Sequence, residues 1–186
     1  WRGKIIVAAL IISLSSLNVL GVKIGARIIN FFTISKLIPI CIFVTWGFSH
    51  VEVSLLHPIF VFDVKNIGSA AVIALFAYTG FEHLSVPAGE MRNPKRDIPK
   101  AFFLVIIGST IIYILVQTIA IGTFPELAQS EKPLADAAAS FLGHRGGLLI
   151  AVGALLAIAG INSGIALTGP RNLYALSKDG FLPELF

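Results

Sequence analysis

Long apolar runs separated by short polar segments dominate the chain. A hydrocarbon core of about 30 Å needs roughly 20 helical residues, and the pattern predicts spans at about 5–20, 28–48, 68–89, 101–124 and 147–168. The first is interrupted by Ser13, Ser15, Ser16 and Asn18, short side chains that can bond within or across helices. The second contains Lys36 and Pro39. The fourth carries Ser109, Thr110, Tyr113, Gln117, Thr118 and Thr123 as its polar interruptions, and the fifth carries Gly160, Asn162, Ser163 and Gly164. Two connecting segments have a pattern of their own. Pro58 to Asn66 reads as mostly extended at the outer surface, and 133–142 as a short helix with proline at its start, lying flat at the outer interface. The prediction is an all-α integral membrane chain that crosses the bilayer several times.

The third run differs from the others. Residues 74–101 read ALFAYTGFEHLSVPAGEMRNPKRDIPKA, with Tyr78, Thr79, Gly80 and Glu82 in the middle of an apolar stretch. Gly68 to Ala77 is too short to cross, and so is Glu82 to Gly89. A break near 78–81 is predicted, because glycine tolerates unusual backbone angles and Thr and Tyr do not favour a helix interior. Broken helices occur at membrane depth only where they are buried in protein or line a cavity. A break would free the carbonyls of Ala74 to Ala77 to accept from an ammonium group, and would put Glu82 at the positive N-terminal end of a second half-helix. The competing reading is an unbroken helix with one glycine and a paired carboxylate.

Composition agrees with the pattern: of 186 residues, 56% are hydrophobic and 13% charged, against about 25% charged in soluble domains. The mean hydropathy is +0.88. The formal charge of +4 does not point to nucleic acid, because the basic residues sit in short loops between apolar runs. Positive-inside bias instead orients the spans. Loops 21–27 and 91–100 and the tail 169–186 hold Lys23, Arg27, Arg92, Lys95, Arg96, Lys100, Arg171 and Lys178, and are assigned to the cytoplasm at a plasma (inner) membrane. The opposite side holds Arg2, Lys4, Lys65, Lys132 and Arg145 together with Glu52, Asp63, Glu126, Glu131 and Asp136. Cys41 is the sole cysteine, so no internal disulfide forms, and its apolar neighbours make it a packing residue. The chain opens on Trp1 rather than Met and is expected to be a fragment.

Ionisable groups inside a span are costly and count as functional candidates. Lys36 and Glu82 are the clear ones. Lys36 lies eight positions past Ile28, roughly 12 Å deep at about 1.5 Å per residue. Its stem can snorkel part of that distance to the interface. No glycine-rich nucleotide loop, metal-spaced His/Cys set or nucleophile-base pair is present, so no cofactor, metal site or catalytic residue is expected and the chain does not read as an enzyme.

The stretch FAYTGFEHLSVPAGEMRNPKRDIPKA resembles the sixth span and following loop of amino acid permeases of the amino acid, polyamine and organocation superfamily. GINSGIALTGPRNLYALSKDGFLPELF resembles the end of their eighth span, and SLNVLGVKIGARIINFFTISKL their fourth and fifth. The resemblance implies a LeuT-like pair of five-helix inverted repeats, of which this chain would supply spans four to eight. The remaining spans of the full-length transporter, among them a first span that carries the other half of the site, would lie outside it.

The resemblance also implies a function. Backbone carbonyls near Phe76, Ala77 and Thr79 would receive the α-ammonium of an amino acid substrate, the Phe76 ring would cover it, and Gly80 would let the backbone approach. Apart from the resemblance, Asn162 and Ser163 offer side chains toward a polar cavity, and Asn162 is counted as a substrate-binding candidate. Ile165 stands near where some members have a large aromatic, and its aliphatic side chain argues against a specialist for cationic substrates. Glu82 would take part in gating, and Lys36 in proton coupling, where a lysine fills the place that sodium takes in related carriers. The expected activity is secondary amino acid transport by alternating access, as proton symport or as exchange against a counter-substrate. The alternative is an amino acid sensor on the same fold without net transport. A channel would want a pore-lining charge ring or a filter sequence, and neither is visible.

Overall fold

The computed structural model describes residues 8, 12, 13, 16, 22–57 and 64–183. Apart from those four positions, the predicted span at 5–20 lies outside the described residues, as does 58–63 of the outer segment. The described part is helical, with no strand. Helix α1 covers Val22–Gly47 and continues into a 3₁₀ turn at Phe48–His50. After a second 3₁₀ turn at Val53–Leu56 come α2, Val64–Ala77, and a 3₁₀ helix at Phe81–Glu90. Helix α3 follows at Pro94–Thr123, then a 3₁₀ turn at Leu127–Gln129, α4 at Pro133–Leu142 and α5 at His144–Lys178.

Among the described residues, three helices are long and apolar enough to cross a membrane: Ile24–His50, Pro94–Thr123 and His144–Lys178. Helix α3 has 30 residues and α5 has 35, so at about 1.5 Å per residue they are roughly 45 and 52 Å long. The third span is discontinuous. Helix α2 has 14 residues and the 3₁₀ helix has 10, about 21 and 20 Å at their respective rises, and neither alone matches a hydrocarbon core.

Several element boundaries follow from local chemistry. Helix α1 is already helical at Val22, within the segment read from sequence as a loop, and α2 starts at Val64 rather than near Gly68. Helix α3 opens with Pro94 at its first position, where a missing N–H costs nothing. The Asn93 carbonyl accepts from Arg96 and Asp97 N–H at 3.1 and 2.9 Å, and Asp97 adds an acid to the first turn. Helix α5 runs through Pro170 and ends ten residues past the predicted span. Its end is a left-handed glycine cap: Gly180 has φ +79, its N–H reaches the Ser177 carbonyl at 3.0 Å, and the Phe181 N–H reaches the Leu176 carbonyl at 2.9 Å. The Ser177 hydroxyl donates to the Pro183 carbonyl at 2.9 Å. The Asp-Gly-x-x-Pro ending is thus a helix stop that folds the chain back on its last turn.

The chain divides into two compact units. One contains Trp1–Cys41 and Leu148–Phe186. Within it, α1 and α5 pack antiparallel. A Cβ on Gly153 would lie 2.9 Å from Pro39 Cγ, and one on Gly160 would lie 3.0 Å from Phe32 Cβ. The seven-residue step is the same on both helices and of opposite sense.

The other unit is Ile42–Gly147. Its core lies where the end of α1, the last turns of α3 and α4 converge. Phe43, Ala137 and Ala138 are fully buried and Ile119 nearly so. The Phe141 ring packs on Phe43 at 5.4 Å and stacks on His50 at 5.6 Å. Close approach requires glycine at two places: a Cβ on Gly47 would clash with Ile119 Cγ2, and one on Gly122 would meet Val51 Cγ1 at 2.7 Å. The Glu52 N–H donates to the Gly122 carbonyl at 2.8 Å, which ties the loop after α1 to α3.

Candidate functional site

Helix α2 stops because the next three residues turn. Tyr78 N–H reaches the Leu75 carbonyl at 3.1 Å and Thr79 N–H the Phe76 carbonyl at 3.3 Å, both as three-residue closures. Gly80 then takes φ +106 and ψ −16, a backbone conformation that side chains with a Cβ rarely adopt. Its carbonyl accepts from His83 N–H at 3.2 Å, and the 3₁₀ helix begins. Glu82 is the second residue of that helix. The second half is therefore 3₁₀ rather than α, and Pro87 inside it has no N–H to give.

The end of an α-helix leaves its last carbonyls without intrahelical partners. At α2 these groups have specific donors. The Phe76 carbonyl also accepts from the Thr79 hydroxyl at 2.7 Å. The Ala77 carbonyl accepts from the Tyr113 hydroxyl of α3 at 2.7 Å. Each carbonyl oxygen has two lone pairs, and together they carry the negative end of the α2 dipole.

Helix α3 holds this break with a stripe of one face. The Tyr78 and Thr110 hydroxyls lie 2.7 Å apart. Thr110 has one hydroxyl hydrogen, and it goes to the Ile106 carbonyl at 2.7 Å. Tyr78 is therefore the donor of its pair, in a chain from phenol to hydroxyl to backbone. The Tyr78 and Tyr113 rings meet edge to face at 5.4 Å, and Phe81 meets Phe102 in the same way at 5.5 Å. Each such ring pair contributes about 0.5–1.5 kcal/mol and each neutral hydrogen bond about 1 kcal/mol. In the sequence, Tyr113 and Thr110 stand only as polar interruptions of a span. Their i, i+3 spacing, which puts both on one helix face, was the available signal.

The proposed site residues fall into two groups. Phe76, Ala77, Thr79, Gly80 and Glu82 belong to the turn just described, and the Phe76 side chain is exposed. In the other unit, Lys36 is half-buried. It stands at the centre of the series Phe32, Lys36, Pro39, spaced i, i+4, i+7, whose ends contact α5. The Asn162 amide donates to the Ile158 carbonyl of its own helix at 2.8 Å, and Ile165 is exposed. Gly160 and Gly164 have the four-residue spacing of a small-residue packing motif, but Gly164 has open space beside it, and of these two Gly160 is the one that packs on a neighbour. Among the described residues no group of three or more His, Cys, Asp or Glu could hold a metal ion.

A helical chain with three helices long and apolar enough to cross a membrane among its described residues belongs to the class of multi-pass integral membrane proteins. The chain is a member of the amino acid permease family, whose profile matches residues 1–186. The fold that goes with this family is the LeuT-like inverted repeat, and the chain carries part of it. It is 34% identical over 181 residues to an uncharacterised protein of Methanocaldococcus jannaschii, covering 92% of this chain and 40% of that protein. It is 31% identical to the serine/threonine exchanger SteT of Bacillus subtilis, covering 97% and 42%, and 27% identical to the methylthioribose transporter of the same organism, covering 96% and 39%. The chain thus spans about two fifths of the length of the curated relatives it matches.

Proposed function

We propose that the full protein is a secondary active amino acid transporter that works by alternating access, as a proton symporter or an exchanger. The observation that supports this reading best is the break at Tyr78–Gly80 in a member of the amino acid permease family. The carbonyl end of α2 offers a negative dipole to an α-ammonium group. In this reading Phe76, Ala77 and Thr79 receive that group through their backbone carbonyls, the Phe76 ring covers it, and Gly80 admits it. Asn162 and Ile165 are further substrate-binding candidates, Glu82 gates, and the other half of the site comes from spans outside this chain. Residues 21–27 at the start of α1, residues 91–100 at the start of α3 and the segment after 169 face the cytoplasm, at the plasma membrane.

Reconstituted in liposomes, the full-length protein takes up amino acids, with serine and threonine the first to try. Absence of uptake of any amino acid, with or without a pH gradient or internal amino acid, sinks the proposal. Uptake of methylthioribose alone replaces the amino acid with a thiosugar.

Lys36 is the proton-coupling candidate, and its place on the α5-facing stripe favours a packed position over a snorkelling one. Lys36→Ala is expected to remove stimulation by an inward proton gradient, leaving rates with and without it within about twofold of each other. Gradient dependence like that of the wild type would return the lysine to an interfacial role. Glu82→Gln is expected to flatten the pH response or to hold the transporter in one conformation, seen as loss of exchange with retained substrate binding. Wild-type behaviour makes Glu82 a structural carboxyl.

A further inference from the structure

We propose that Tyr113 is a positioning residue of the substrate site, holding the Ala77 carbonyl so that α3 sets the direction in which the end of α2 accepts an ammonium group. The inference rests on the reading of the break as the ammonium site. Ala77 is the last residue of α2, and its carbonyl has no helical N–H ahead of it. The donor it receives comes from 36 positions away, on a different helix, at 2.7 Å. The bond does not stand alone. Tyr78, the next residue, reaches back to Thr110 one turn earlier on α3, at 2.7 Å, and the two phenol rings cross edge to face. The break thus sends a hydroxyl to α3, and α3 sends one to the break.

The consequence for recognition is geometric. A carbonyl oxygen has two lone pairs. With one directed at Tyr113, the Ala77 oxygen has a single remaining direction for a cation, and the reciprocal Tyr78 bond fixes the peptide plane that carries it. Without the hydroxyl, the terminal peptide of α2 can rotate, and the carbonyl presents itself to the ammonium in several orientations. A weaker ground-state contact raises KM while leaving the conformational cycle unchanged.

The test is Tyr113→Phe in the full-length protein in liposomes, which keeps the ring and its contact with Tyr78 and removes the hydroxyl. The expected result is a KM for the amino acid raised about fivefold, the worth of one net hydrogen bond. The maximal rate stays within about twofold, as loss of a contact made equally in ground and transition states requires. The thermal midpoint stays close to the wild type. An unchanged KM overturns the proposal, as does a parallel collapse of rate and thermal midpoint, which marks a plain helix staple. If the variant does not fold, Tyr78→Phe, which breaks the reciprocal bond, is expected to raise KM about twofold with the rate retained. An unchanged KM there is equally decisive against it. A wild-type protein that takes up no amino acid removes the transport reading and this inference with it, whereas active wild type with an indifferent Tyr113→Phe removes this inference alone.

Discussion

Gly146→Ala is expected to destabilise the protein by about 3 kcal/mol, the upper end for overpacking a tight contact. Helix α4 ends at Leu142, Gly143 turns the chain at φ +67, and α5 starts one residue later. That turn is so short that the first turn of α5 lies directly on α4. A Cβ on Gly146 would stand 2.5 Å from the Ala138 carbonyl oxygen and 2.5 Å from Leu142 Cβ. The first is backbone and cannot rotate away. Ala138 is itself fully buried, so α4 has no room to retreat. Relief has to come from separating the two helices, which opens the Phe43, Ile119 and Phe141 core. Thermal unfolding of the purified full-length protein should show the midpoint down by roughly 3 °C, the shift expected for a chain of well over 400 residues. Gly164→Ala, on the same helix with nothing within 4 Å of its added methyl, should leave the midpoint unchanged or raise it slightly, since alanine favours helix by about 1 kcal/mol. Equal midpoints for the two variants would show that the α4–α5 contact is not tight.

The membrane class and the break were legible in the sequence for the same reason: both are local. A run of apolar residues long enough to cross states its own structure, and Tyr78-Thr79-Gly80 inside such a run marks an interruption through intrinsic preference. What stayed hidden depends on partners far along the chain. Nothing near Ala77 announces that its carbonyl belongs to Tyr113, since that pairing exists only once α3 lies against α2. The second half of the broken span reads as apolar in either helical form, and its 3₁₀ geometry over Phe81–Glu90 follows the turn at Gly80 and comes with the Phe81–Phe102 contact to α3.

Glycine shows the difference well. Gly160-x-x-x-Gly164 has the spacing of a small-residue packing pair, but the α5 glycines that meet α1 are seven residues apart, at Gly153 and Gly160. A seven-residue step keeps one face toward an antiparallel neighbour, and it could have been read from the sequence. Pro170 is the opposite case. It suggests a helix end, yet α5 continues through it to Lys178. The Arg171 guanidinium donates to the Leu167 carbonyl there, and the termination chemistry is placed later, at Asp179-Gly180. Of the candidate site residues, those around 76–82 are brought together by one turn, while Lys36 shares a helix face with Phe32 and Pro39 through register alone.

Gly80→Ala is expected to reduce amino acid uptake by about tenfold or more while the protein still inserts and folds. The site has open space around it: no atom lies within 4 Å of a Cβ built there. The cost is therefore in the backbone. At φ +106 an alanine is strained by about 1–3 kcal/mol, which corresponds to about 5- to 150-fold in the population of the broken conformation. The strain can be relieved by moving φ to the helical side, and α2 would then extend through Tyr78 and Thr79. That extension would give the Phe76 and Ala77 carbonyls helical N–H partners in place of Thr79 and Tyr113, and would remove the helix end from the place where an ammonium is proposed to bind. Asparagine tolerates positive φ better than alanine, so Gly80→Asn should be the milder variant, and the β-branched Gly80→Val the most severe. Uptake measured in liposomes and corrected for the amount of inserted protein orders the three. An order of Val, Ala, Asn from weakest to strongest uptake identifies backbone conformation as the determinant. Equal and near-wild-type uptake in all three would mean that the left-handed turn is dispensable, and with it the use of the α2 carbonyl end as a binding element.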